Sequence, residues 1–307
     1  MSAGSAPKSA PESAPESVPE SAPGLRGPGA PGAGGARPAP RLGARAHLAA
    51  LRAIVAREAL RFLTQRARFF AALVRPLVWL LVFAAGFRAA LGLSITPPYQ
   101  TYVTYEVYIV PGLAAMIQLF NGMQSSLSLV HDRETGSMRL LLTSPLPRWW
   151  LLSCKLAAGC AVSLLQVYVF LAAAALWGVR APLEGYALAL PALMLTGLML
   201  GAMGLALSST ITQLENFAGV MNFVIFPTFF LSTALYPLWK MQESSPLLGR
   251  ICELNPFTHA VELVRFALYG QMNWAAAGWT ALALAAFWAL AMVGYDPARG
   301  LMRRRAR

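Results

Sequence analysis

The stretch EGYALALPALMLTGLMLGAMGLALSSTITQLE, Glu184–Glu215, places no charged side chain between its two glutamates. A helix needs roughly 20 apolar residues to cross a hydrocarbon core about 30 Å thick, so this interval holds one crossing. Working outward from it, four more intervals contain nothing ionisable except tyrosine: Glu106 to His131, Lys155 to Arg180, Glu215 to Lys240 and Arg265 to Asp296. The expected crossings centre on 108–130, 156–178, 187–210, 217–237 and 274–294. A sixth, at 69–92, is shorter, because Arg75 and Arg88 bracket its uncharged core. Phe69, Phe70, Leu73 and Val74 extend it, and the two arginines can snorkel to opposite interfaces. The pattern predicts an all-α integral membrane protein with six transmembrane helices over 69–295.

Composition agrees. Of 307 residues, 57% are hydrophobic and only 12% charged, against about 25% charged in an average soluble domain. That excludes an ordinary water-soluble enzyme. Net charge +12 would raise nucleic acid as a partner, but the positions of the charges give another explanation. With six crossings, 20 of the 25 lysines and arginines fall on the side of the two termini: Lys8, Arg26, the arginines from Arg37 to Arg75, Arg133, Arg139, Arg148, Lys155 and the basic tail 296–307. Only Arg88, Arg180, Lys240, Arg250 and Arg265 fall on the other side. Positive charge collects on cytoplasmic loops, so both termini are expected in the cytoplasm and no nucleic acid is needed. Cys154, Cys160 and Cys252 are scattered and odd in number, which gives neither a disulfide framework nor a metal spacing.

Two segments precede the first crossing. Residues 1–44 begin with the imperfect repeat SAPK-SAPE-SAPE-SVPE-SAPG at 5–24. Proline at every fourth position forbids a helix and almost nothing apolar is offered for burial, so a disordered cytosolic extension is expected. Residues 45–68 lack proline and glycine. Leu48, Leu51, Val55, Phe62 and Leu63 share one helical arc, with Arg57, Arg61 and Arg68 opposite. This pattern suits a helix lying along the cytoplasmic leaflet, or one packing on a soluble partner.

Chemistry-bearing motifs are missing from the sequence. There is no GxxxxGK[ST] phosphate loop, HExxH, CxxC or GxSxG. No catalytic residues, cofactor-binding residues or metal ligands are therefore assigned. The crossings also lack the acidic or histidine relay of a proton-coupled transporter. If the chain moves a substrate against a gradient, another subunit supplies the energy.

Three segments break the run of plain apolar helices. The loop HDRETGSMRLLLTSPLPRWWLLSCK (His131–Lys155) has a helix-forming middle with Leu140, Leu141 and Leu142, framed by both signs of charge. It suits docking on a soluble partner, or a connector whose leucines lie on the membrane. In FPTFFLSTALYPL (Phe226–Leu238), Pro227 and Pro237 predict a bend or unwinding near the outer end of the fifth crossing. On the outer side, Asn255-Pro256 marks a turn. Thr258–Tyr269 then reads as a helix with Glu262 and Arg265 at i, i+3, part of a re-entrant or interface-lying helical pair. Within the second crossing, Gln118, Asn121, Ser125 and Ser128 share an arc, either lining a path or joining helices by hydrogen bonds. Gly197 and Gly201 form a small-xxx-small pair suited to helix packing.

These segments, in this order, resemble the type 2 permease family of ATP-binding-cassette (ABC) transporters. RETGSMRLLLTSPLPRWWLLSCK is similar to the family's Arg-Glu, Thr-Gly, paired leucines, Pro and terminal Lys. FPTFFLSTALYP is similar to its fifth-span motif, and LNPFTHAVELVR (Leu254–Arg265) to its Asn-Pro…Val-Glu…Arg signature. Thr233 departs from the pattern, since many relatives carry glycine there. The resemblance covers about 45–300 and implies an exporter of drug-like or lipo-oligosaccharide-like substrates. That exporter would contain two permease chains, a homodimer by default, and separate ATPase subunits that bind ATP and Mg; it would sit in a bacterial inner (plasma) membrane. It further implies an ATPase-coupling helix around Arg133, Glu134, Gly136, Leu140, Leu141 and Pro145, with 45–68 as the connecting helix beside it. The outer motif is then Asn255, Pro256, Glu262 and Arg265, with Gln118, Asn121 and Ser125 candidates for the path. The rival class, a secondary transporter or channel, would need intramembrane ionisable groups or inverted repeats that the sequence does not offer. A membrane-embedded enzyme would need polar residues converging at one leaflet.

Overall fold

The computed structural model describes residues 44–64, 66–87, 97–99, 103–134, 147–211 and 213–295. Among them the regular structure is all helical, with no extended strand. The helices are α1 (Ala44–Thr64), α2 (Arg66–Phe87), α3 (Tyr105–Glu134), α4 (Arg148–Leu176) and α5 (Leu183–Thr210). They continue with α6 (Leu214–Phe230), α7 (Leu238–Ser244), α8 (Pro246–Leu254), α9 (Pro256–Leu268) and α10 (Trp274–Gly294). The repeat tail, the middle of the cytoplasmic loop and the basic C-terminal tail lie outside the described residues.

Three helices, α4, α5 and α10, are long and apolar enough to cross a bilayer. At 1.5 Å per residue, α4 alone reaches about 40 Å. α3 is as long, but it carries Gln118, Asn121, Gln124 and three serines. It tolerates them because it is the buried axis of the bundle: Ile109, Leu113, Leu119 and Met123 are fully enclosed. α3 packs against α2, α4, α5, α6 and α9, while α5 packs most extensively on α3 and α10.

The α3–α5 contact depends on missing side chains. A Cβ on Gly122 would stand 2.9 Å from the Leu200 carbonyl carbon and oxygen, and one on Gly204 would stand 2.7 Å from the Gly122 oxygen. Backbones this close exclude any larger residue. Gly201 turns toward Leu156 of α4, and Gly197 faces both Cys160 of α4 and Gln118 of α3, so the small-xxx-small pair packs helices within the chain.

One boundary differs from the sequence expectation. The fifth crossing, expected over 217–237, is helical only to Phe230. Pro227 removes one helical N–H, and residues 231–237 continue as turns. The expected outer pair is three short helices, α7 to α9.

Gly122→Val should overpack the α3–α5 contact and lower the detergent-solubilised melting temperature, at a cost of about 1–3 kcal/mol. Gly219→Ala, on α6 where a Cβ meets open space, should leave the melting temperature unchanged in the same assay.

Candidate functional site

Where α6 unwinds, its backbone leaves carbonyls that the helix no longer satisfies. The segment is nonetheless fully enclosed: Ser232, Thr233, Ala234 and Leu235 are each 2% exposed or less. Its polar groups are met from three directions. Asn255 Nδ2 donates to Thr228 O at 2.8 Å and to Leu231 O at 2.6 Å. Tyr108 Oη donates to Thr233 O at 3.1 Å, and Arg265 Nη2 donates to the same oxygen at 2.6 Å. Tyr105 Oη donates to Leu235 O at 3.0 Å. Ser232 closes the turn itself, accepting from Ala234 N at 3.2 Å.

The donors are fixed in turn. Asn255 Oδ1 accepts from Phe257 N at 3.0 Å and so caps α9, with Pro256 at the first helical position. Arg265 is 1% exposed and forms an ion pair with Glu262, one turn earlier on α9. Its guanidinium carbon lies 4.0 Å from the Tyr108 ring centroid, so the buried cation has a carboxylate, a carbonyl and an aromatic face around it. Gly112 of α3 lets the segment approach, since a Cβ there would come within 2.5 Å of Ala234 O. Asn255, Pro256, Glu262 and Arg265 thus form one clasp around the unwound end of α6. Thr233 acts through its main-chain oxygen, which any residue supplies, and its buried hydroxyl has no partner. The departure at that position leaves the clasp intact.

The opposite end of the bundle gathers the flanks of the 135–146 segment. Asp132, at the end of α3, pairs with Lys155 of α4 at 2.9 Å. Glu134 Oε1 accepts from Leu214 N, the first residue of α6, at 2.9 Å. Trp150 Nε1 donates to His47 O at 3.3 Å, which holds α1 against α4. Ser208 and Tyr295 share a hydrogen bond of 2.8 Å between the ends of α5 and α10. Gly136, Leu140, Leu141 and Pro145 lie outside the described residues, and of Arg133 only the backbone is described.

Between the two ends runs a polar seam. Gln118 Nε2 donates to Leu193 O of α5 at 2.8 Å, and Asn121 Nδ2 donates to Gln166 of α4. Gln118 and Ser125 line a small polar pocket with Ser126, Ser163 and Lys155. The helical spacing of Gln118, Asn121 and Ser125 is legible in the sequence. Gln166, Tyr105 and Tyr108 are missed there, although a lone amide in an otherwise apolar crossing was a usable signal. All three cysteines are free and buried, and burial pushes the Cys252 thiol up.

With this geometry described, comparison with known proteins is informative. The family model for the ABC-2 type transporter matches residues 49–269, from α1 through the clasp to the end of α9. The chain belongs to the ABC-2 type transporter family. It is 30% identical over 230 residues to the "putative transport permease ycf38" of Pyropia yezoensis, covering 73% of this chain and 75% of that protein. It is 32% identical over 171 residues to the "probable multidrug ABC transporter permease YbhR" of Escherichia coli K12, covering 54% of this chain and 45% of that protein. The chain is therefore a multi-pass membrane protein and an ABC transporter permease, and the family implies an ATPase partner. The same membership places the clasp and the gathered loop flanks, the two least ordinary features of the bundle, in a transport subunit.

Asn255→Ala removes two donors and a helix cap, and should lower stability by about 2–4 kcal/mol, read as earlier thermal aggregation of the detergent-solubilised protein. Thr233→Val keeps the accepting carbonyl and deletes an unpartnered hydroxyl, so it should leave the melting temperature level or raise it. Gln118→Leu removes a buried interhelical hydrogen bond while Leu193 O keeps its helical partner, and should cost about 0.5–1.5 kcal/mol in the same measurement.

Proposed function

We propose that this ABC-2 permease is one half of a homodimeric exporter in a bacterial inner membrane. A separate ATPase chain, which binds ATP and Mg, would drive a hydrophobic, drug-like or lipid-linked substrate outward. The observation that carries this reading is the gathering of helix ends around residues 135–146. Asp132–Lys155 and Glu134–Leu214 bring the two sides of that loop and the start of α6 to one place. A loop held at both ends on the basic side of the chain suits a part that receives force from outside. On this reading 132–148 is the coupling helix and α1 the connecting helix, a placement supported by the Trp150–His47 bond.

In this reading α2, α3, α4, α5, α6 and α10 cross the membrane, with both termini in the cytoplasm. Tryptophans at helix ends support it: Trp149 and Trp150 begin α4, Trp177 follows it, and Trp274 opens α10. Indole rings favour the two interfaces of a bilayer. The domain limits are then 1–44 for the tail, 45–68 for the connecting region, 69–295 for the membrane domain and 296–307 for the basic end. A second copy is supported by α6, which leaves Phe223, Phe226 and Phe230 exposed at 78%, 42% and 38%. Substrate would pass between the copies along α3 and α6, and the arc of Gln118, Asn121 and Ser125 would join helices beside that path.

Mild-detergent purification of the tagged chain from its native membrane, with mass spectrometry of what accompanies it, tests the reading. A near-stoichiometric P-loop ATPase is expected. Leu141→Asp should insert normally and lose at least tenfold of that ATPase. Purification of intact permease with no ATPase would instead favour a transporter or channel without ATP.

A further inference from the structure

The last turn of α3 is tied twice, and the two ties do different things. Asp132 and Lys155 face each other across the base of the 135–146 segment at 2.9 Å, with side chains only 27% and 10% exposed. That pair joins the entry of the loop to its exit. Glu134, two residues on, reaches a different element: its carboxylate accepts from the backbone N–H of Leu214 at 2.9 Å.

That contact falls at the start of α6. Its N-cap residue, Gln213, has the extended backbone of a cap but makes no capping bond. The Gln213 amide oxygen accepts from the Asn216 side chain instead. The first N–H groups of a helix have no partner within it and carry the positive end of its dipole, so a carboxylate from elsewhere is well matched to them. α6 is also weakly embedded: of its 17 residues only Phe217, Ile225 and Phe229 are buried, against fourteen of the 28 in α5. Its far end is the clasped, unwound segment. A helix with one end clasped, few buried side chains and, among the described residues, a carboxylate on its first N–H is placed to follow that carboxylate.

We propose that Glu134 is a positioning residue that carries displacement of the 135–146 loop to α6, with the Asp132–Lys155 pair keeping the loop base stiff so that movement reaches the last turn of α3 undivided. This rests on the reading that the loop docks on an ATPase. The role is distinct from touching that ATPase: what matters is an acceptor oxygen at the reach of a glutamate, and a tie to α3 rather than a cap as such.

The test uses the permease co-purified with its ATPase and reconstituted in liposomes, carrying a nitroxide either at Arg139→Cys on the loop or at Asn222→Cys on α6. Spectra are compared with and without ATP plus orthovanadate. In the unmodified background both labels are expected to respond. With Glu134→Ala the loop label keeps its response while that of the α6 label falls at least fivefold. Glu134→Gln, which retains an acceptor oxygen at the same reach, keeps at least half of it. Glu134→Asp, too short to reach, behaves like the alanine variant; Glu134 is exposed, so these variants are expected to fold. Adding Gln213→Asp to Glu134→Ala gives α6 a cap of its own without restoring the tie, and the α6 response stays low.

Recovery in that double variant would reduce Glu134 to a local cap and overturn the proposal. An undiminished α6 response in Glu134→Ala would overturn it directly. Failure of Glu134→Gln alongside alanine would assign the charge to the ATPase surface instead. A loop label silent in the unmodified complex would overturn the docking reading itself, a result distinct from the other three.

Discussion

The constraint on which this structure depends is the inability of an apolar bundle to leave backbone carbonyls bare. Once Pro227 ends α6 early, the carbonyls of Thr228, Leu231, Thr233 and Leu235 need donors that water does not supply at that depth. Asn255, Arg265, Tyr105 and Tyr108 supply them from α9 and α3. The placement of α9 against the bundle, the ion pair that accompanies Arg265, and the absence of a side chain at Gly112 are all consequences of meeting that demand. A motif that reads in the sequence as a turn followed by a charged pair is, in three dimensions, the missing hydrogen-bond complement of a broken helix 24–32 residues upstream.

The same principle orders the rest of the bundle. Polar side chains are concentrated in α3, which is surrounded by protein, while α10 shows mostly alanine, leucine and tryptophan and buries only Ala276, Thr280, Ala291 and Gly294. Serines on α3, α4 and α5 return their hydroxyls to their own helix, as Ser126 does to Gly122 O and Ser163 to Cys160 O. The amides Gln118 and Asn121 are long enough to leave their helix, and both cross to neighbours. Small residues bring the α3 and α5 backbones close, and amides then join the helices that surround the contact.

Much of this was legible in the sequence, for identifiable reasons. Charge-free intervals mark long helices because a charge in the hydrocarbon is costly, and each of the five full intervals holds one helix of the bundle. Pro227 announces the break in α6 because proline lacks the N–H that a helix requires. Asn255-Pro256 announces the start of α9, and the i, i+3 spacing of Glu262 and Arg265 becomes an ion pair on that helix. What stayed hidden is what those side chains hold. Thr233 O and Leu193 O are main-chain acceptors, identical at every residue, so no residue type advertises them.

The clasp divides its two sides unequally in one further respect. Its donors are side chains, and each has a shape that few substitutions reproduce. Its acceptors are peptide oxygens, which survive nearly any exchange of the residue that bears them. Within the volumes that their close packing allows, the residues of the unwound end of α6 can therefore be exchanged while the joints that hold it stay the same. A permease built this way can change those residues without first having to relearn how to fold.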